Sequence, residues 1–177
     1  MEIRASSKYD WDTIKKFNHF HNVTRTRVLD IIIIIIDVFC VLGFLLLWTQ
    51  NLLTFEIKML YVLLLFVHFM LVFVKIFLPK IQYKQNKMIH GVVNEITFEE
   101  NQMLMEQRGE NTNATATIKY DAIWKVYEAK EYIYIYVNSR QAYIVEKSTI
   151  TGGNAADLRM FLVKNVGMSK YKVKYRI

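Results

Sequence analysis

Two apolar runs, Val28–Thr49 and Ile57–Leu78, stand out from a chain that is otherwise mixed in polarity, with a short polar break, Gln50–Glu56, between them. Each run is about 22 residues, and at roughly 1.5 Å per residue each is long enough to cross a hydrocarbon core of about 30 Å. The pattern predicts a transmembrane helical hairpin over 28–78, with helices at 28–49 and 57–78. Ahead of it, residues 1–27 read as an amphipathic segment. Trp11, Ile14, Phe17 and His21 recur at three- and four-residue steps, which predicts a helix over Lys8–His21 with Asp10 or Asp12 as its cap. Two placements are open to it: packed on the C-terminal domain, or lying on anionic lipid. Residues 79–94 read as a basic linker, and Pro79 marks the expected stop of the second helix.

From Glu95 onward the period shortens to two. Ile96 and Phe98, then Met103 and Met105, predict a hairpin around Glu99–Gln102. Thr112–Ile118 alternates weakly, and Ala122–Glu128 is a further strand. Tyr132–Val137 alternates tyrosine with β-branched residues, Asn138–Gln141 turns, and Ala142–Glu146 returns. Gly152 and Gly153 then break the chain before a helix opened by Asn154 or Asp157, with Leu158, Phe161 and Leu162 on one face. A meander followed by one amphipathic helix suits a curved sheet or half-open barrel closed by that helix, a pleckstrin-homology-like (PH-like) architecture. The expected class is therefore an α+β membrane protein: a helical hairpin followed by a small PH-like domain over 95–177.

Charge adds orientation. The formal net charge is +7, with both signs interspersed, so neither half resembles a nucleic-acid-binding tail. Basic residues flank the hairpin on both outer sides: Arg25 and Arg27 before it, Lys80, Lys84 and Lys87 after it, against Glu56 alone in the turn. The positive-inside rule then puts both termini in the cytosol. The one cysteine, Cys40, lies in the first run, so no intrachain disulfide forms.

Apart from Lys58 at the edge of the connecting loop, the runs are interrupted by Asp30 and Asp37 in the first and by His68 and Lys75 in the second. Charges at such depth are costly and need a reason. In an antiparallel hairpin turning near residue 53, Asp37 falls level with His68 near mid-membrane, and Asp30 level with Lys75 nearer the cytosol. Two intramembrane polar pairs are predicted. They either pin the register of the hairpin or serve as a proton relay or partner-helix site. In the C-terminal domain, Tyr132, Tyr134 and Tyr136 share one strand face. That face is either half-exposed sheet or a docking surface for a peptide or for the N-terminal helix. The tail alternates Lys170, Lys172, Lys174 and Arg176 with apolar residues, reading equally as an edge strand or as a basic arm on anionic lipid. Phosphate-cradling, zinc-binding and nucleophile-elbow motifs are absent, so no catalytic residue, metal ligand or cofactor is predicted.

The arrangement resembles the YcxB-like bacterial membrane proteins. The resemblance is carried by Trp11-Asp12 with Phe17-Asn18-His19-Phe20-His21, the adjacent spans, and Ile96-Thr97-Phe98. It continues through Tyr120-Asp121-Ala122-Ile123-Trp124-Lys125-Val126-Tyr127-Glu128, Glu131–Tyr136, Gln141–Val145, Lys147 and the Leu158–Leu162 helix. One departure is Glu146-Lys147-Ser148, where the family tends to have Pro-Lys-Arg. The resemblance implies a multi-pass protein of the bacterial cytoplasmic membrane that presents a non-catalytic interaction module to the cytosol. The expected partners are the bilayer and an unidentified protein or peptide, and self-association is a further expectation. Two alternatives accompany this: self-immunity against a membrane-active peptide toxin, and a proton-linked role for Asp37 and His68.

Overall fold

The structure, a computed structural model, describes residues 2–25, 27–50, 52, 54–85, 90–109 and 112–175, with side chains except at 25, 27–30, 82 and 112. It divides into two compact units, one of Met1–Phe17 with Asn86–Ile177 and one of Asn18–Gln85. The class is α+β.

The first unit holds two four-stranded sheets. Sheet A runs in the order β1 (Ile3–Lys8), β2 (Val93–Phe98), β3 (Gln102–Gly109), β4 (Thr112–Lys119), all antiparallel. Sheet B runs in the order β7 (Ala142–Glu146), β6 (Tyr132–Tyr136), β5 (Lys125–Glu128), β8 (Tyr171–Val173). The β5–β8 pair is the parallel one, with Val126 opposite Tyr171 and Glu128 opposite Val173. Ile3, Ile96, Phe98 and Met103 from sheet A meet Val126, Ile133, Ile135 and Val145 from sheet B in one core. Helix α4 (Ala155–Val166) adds Leu158 and Leu162 to it. This helix starts at a capping box: the Asn154 side chain accepts from the Ala156 and Asp157 amides, and Asp157 Oδ2 accepts from Asn154 N at 2.9 Å. Phe161 meets the Tyr120 ring edge to face, at a centroid separation of 5.6 Å.

β1 corrects the expected boundary at residue 27. Residues 3–8 are a strand paired with β2, and residues 1–17 belong to the sheet unit. Ile3, Ala5 and Ser7 alternate inward, but a six-residue strand with two serines carries too little apolar signal to reveal itself without its distant partner. The outer edge of β1 is closed by the segment after β7. Arg4 and Thr151 exchange backbone hydrogen bonds of 3.0 and 2.8 Å, and the Thr149 hydroxyl bridges Ser6 N and Ser6 O. Gly152 follows with φ +74°, and a Cβ there would lie 2.1 Å from Glu2 O, so the seam admits only glycine.

Helix α1 (Trp11–Arg25) is opened by Asp10, whose Oδ1 accepts from Thr13 N at 2.8 Å. It runs past the expected end at His21. In the second unit, α2 (Arg27–Thr49) and α3 (Phe55–Gln85) form the hairpin. The expected stop at Pro79 is wrong, because α3 continues six residues beyond it. Proline costs one backbone bond, but the following Lys80, Gln82, Lys84 and Gln85 are good helix formers. The expected 79–94 linker therefore splits between the end of α3 and the start of β2.

Both helices are long and apolar enough to cross a membrane, with an 18-residue stretch of mean hydropathy 3.0 inside Ile31–Thr49 and one of 2.5 inside Phe55–Gln85. None of either apolar window is buried by protein. The helices meet through Phe44 and Tyr61, whose rings lie edge to face at 4.8 Å, and through Gly43 beneath the Tyr61 hydroxyl.

Candidate functional site

Four places in the described residues carry polar or aromatic chemistry, and each is set by a different part of the sequence. The first is Glu128, at the end of β5. Val126 and Glu128 point the same way along the strand, and Val126 points into the core, so the carboxylate follows it inward and is fully buried. Five donors meet it. Lys147 Nζ reaches Oε1 at 2.7 Å; Arg159 Nε reaches Oε2 at 2.6 Å and Nη2 reaches Oε1 at 2.7 Å. Tyr171 Oη donates to Oε2 and Tyr175 Oη to Oε1, each at 2.7 Å. Arg159 Nη2 also contacts Tyr175 Oη. Burial pushes the carboxyl pKa up, but the hydrogen bonds from Arg159, Lys147, Tyr171 and Tyr175 reverse this and hold it at about 2, against an ordinary 4.5. Burial, then the bond to Glu128, drives the Tyr171 hydroxyl upward. With every lone pair engaged, this carboxylate has no capacity left for a substrate proton. It is a clasp joining β5, the turn after β7, α4 and the C-terminal strand.

The cluster was not singled out from sequence, although a signal existed. The inward parity that buries Val126 also buries Glu128, and a buried acid needs a cation. Arg159, one residue after Leu158 on the helix, is the natural supplier.

The second place is the tyrosine face. Tyr132, Tyr134 and Tyr136 are all buried rather than half-exposed. Phe17 covers them, with ring centroids 5.5 Å from Tyr134 and 6.2 Å from Tyr136. Lys16 Nζ lies 5.6 Å from the Tyr132 ring centre and pairs with Glu131 at 3.0 Å and Asp12 at 2.7 Å. Of the two occupants expected for this face, a peptide or the N-terminal helix, the first turns of α1 pack on it. Phe17 on α1 supplies the apolar contact and Glu131 anchors its lysine.

The third is the intramembrane pair. His68 Nδ1 lies 2.9 Å from Asp37 Oδ2, an ion-pair distance reached without hydrogen-bond alignment. The Asp30 side chain lies outside the described residues, so the Asp30–Lys75 pairing does too. In the tail, Tyr171–Val173 form β8 at the edge of sheet B. Lys170 is committed within the fold: its Nζ donates to the Ile123 and Asp121 carbonyls at 2.7 and 3.2 Å. Lys172 and Lys174 are exposed, and Arg176 lies outside the described residues.

The fourth is a groove of about 400 Å³ on the outer face of sheet A. Arg4, Thr97, Leu104, Glu106 and Arg108 line it, with Glu2, Glu95 and Glu99. Arg4 pairs with Glu2 at 2.9 Å, and Arg108 with Glu106 and Glu95 at 2.8 and 3.2 Å, leaving carboxylate in excess. No three His, Cys, Asp or Glu among the described residues form a metal-binding group.

Residues 98–162 match the model of the family described as YcxB-like protein, the family that the sequence resembles. The matched stretch runs from the end of β2 into α4 and includes Glu128, Lys147 and Arg159. No curated protein matches the chain. No solved structure matches it either.

Proposed function

We propose, from the YcxB-like match over the sheet core and the two uncovered apolar helices, that this protein is a membrane-anchored, non-catalytic interaction module. The hairpin spans the cytoplasmic membrane of a bacterium with both termini in the cytosol. It holds a PH-like domain at the membrane face for a protein or peptide partner. The observation that carries this is that no residue of either apolar window is buried by protein. Contiguous apolar surface on that scale needs lipid to cover it. The absence of catalytic patterning in the sequence and the saturation of Glu128 support a binding role over an enzymatic one.

With the tyrosine face taken by α1, the partner surface is the groove on sheet A. Its surplus of carboxylates suits a basic, extended segment of the partner. The Asp37–His68 contact supports register-pinning of the hairpin, since two helices enclose no pore.

The test is site-specific photocrosslinking in cells, with a photoreactive amino acid at Leu104 on sheet A and, for comparison, at Met160 on α4. One dominant protein or peptide adduct at Leu104 that is missing at Met160 supports the module and identifies its partner. Equal, diffuse labelling at both positions overturns the groove as the partner surface. Release of the chain by alkaline carbonate overturns the membrane anchor.

A further inference from the structure

The outer surface of sheet B beside the tyrosine face differs from sheet A in sign. β5 and β8 pair in parallel with Tyr127 opposite Lys172, so Lys125, Tyr127 and Lys172 point to the same outer side. Lys174 continues the alternation and is exposed. Trp124 stands at the start of this edge, a third exposed, with Lys125 Nζ 4.5 Å from its ring centre. The turn Gly167–Lys170 abuts the same end: Lys170 O accepts from Val126 N at 3.0 Å, and Lys170 Nζ reaches the Ile123 carbonyl. At the tip of that turn Met168 is 81 % exposed. Asp121 is the exposed acid nearby. Sheet A's outer groove instead carries the surplus of carboxylates.

A large aromatic and an uncovered methionine at one end of a strand pair that carries Lys125, Lys172 and Lys174 form the amphipathic surface that suits a lipid interface, where the apolar groups enter and the ammonium groups meet anionic headgroups. We infer that the β5–β8 edge, with Trp124, Lys125, Met168, Lys172 and Lys174, seats the domain on an anionic bilayer surface. This inference rests on the reading that the hairpin spans that bilayer, which keeps the edge at high local concentration near the headgroups. The carboxylate-rich face of sheet A is then repelled from the same surface and stays open to the cytosol. The lysines orient the domain, and Trp124 and Met168 hold it.

The test uses the full chain in lipid nanodiscs, with Cys40→Ser as background and a nitroxide at Met168→Cys or, as a control on sheet A, at Thr115→Cys. In discs of mixed phosphatidylglycerol and phosphatidylcholine, the label at 168 is expected to be reached by oxygen and shielded from a water-soluble nickel chelate. The label at 115 is expected to stay open to the chelate. Lys125→Gln/Lys172→Gln/Lys174→Gln, or discs of phosphatidylcholine alone, should return chelate access at 168. Equal chelate access at both positions in the anionic discs overturns the inference. So does shielding from both colliders, which marks burial against protein, and so does shielding that survives the triple variant. Whether the hairpin spans the membrane is read separately, by carbonate extraction, so a failure of that reading is not mistaken for a failure of this one.

Discussion

Among the described residues, Glu128 and Asp37 are acids in apolar surroundings, and they are treated in opposite ways. Glu128 in the sheet unit is fully buried and receives five donor contacts from four residues. Asp37 in the hairpin meets one histidine at 2.9 Å, and its side chain is 42 % uncovered by protein. The difference lies in what surrounds each. A β-sheet core draws partners from three separate chain segments, so a carboxylate there can be closed on all sides. Two antiparallel helices offer one neighbour at each depth, so a pair is all that the hairpin can build. The first arrangement joins several segments of a tertiary fold; the second joins two helices at one depth.

Removing Glu128 should break this comparison most severely. Glu128→Gln leaves Lys147 and Arg159 facing each other without their counter-charge, and loss of one partner from a buried ion pair costs about 3–5 kcal/mol. Denaturant unfolding of the sheet unit in the detergent-solubilised full chain, followed by near-ultraviolet circular dichroism, reads this. A loss below that of any other variant here would mean that the clasp is ornamental.

Acid titrates the same clasp. The folded carboxyl sits at about 2 and the ordinary value is 4.5. A depressed carboxyl stabilises the fold above its unfolded pKa, and that contribution disappears as pH falls through the folded one. Stability should therefore decline between about pH 4.5 and pH 2, by about 3 kcal/mol in total from this group. The same scan on Glu128→Gln should lack this component. An unchanged acid limb would show that another group dominates.

The contact of α1 with the tyrosines ranks next. Phe17→Ala removes the ring packed on Tyr134 and Tyr136, and because Phe17 is only partly buried the cost should be about 2 kcal/mol, below the full core value. Solvent quenching of tyrosine fluorescence should rise in parallel. If it does not, something other than Phe17 seals that face.

The smallest effect belongs to the hairpin. Asp37→Asn keeps a polar partner for His68, and interhelical polar contacts in membranes average about 0.6 kcal/mol, so thermal stability should change little. Lost cellular function with unchanged protein level would instead restore the proton-linked reading. In that case the two acids would differ in purpose and not merely in packing.

Much of this was legible along the chain. The hairpin, the β2–β3 turn, β6, β7 and α4 each announce themselves within a dozen residues, because a period of two or of 3.6 is a local property. The level pairing of Asp37 with His68 was legible too, since a hairpin turning near residue 53 brings them to the same depth. β1 and the continuation of α3 through Pro79 were not. The strand gains its stability from residues 93–98, and the proline's cost is absorbed by the helix formers after it.

By itself, then, the sequence determined the two apolar helices, the α+β class and a helix opened by Asn154 or Asp157, because length, periodicity and local hydrogen bonding need no distant partner. Tertiary structure alone decided what covers the tyrosines and what neutralises Glu128. Both answers come from residues more than fifteen positions away: Phe17 lies over Tyr134, and Lys147, Arg159, Tyr171 and Tyr175 lie around one carboxylate. Burial creates the demand for such partners locally, but only the path of the folded chain chooses which residues meet it.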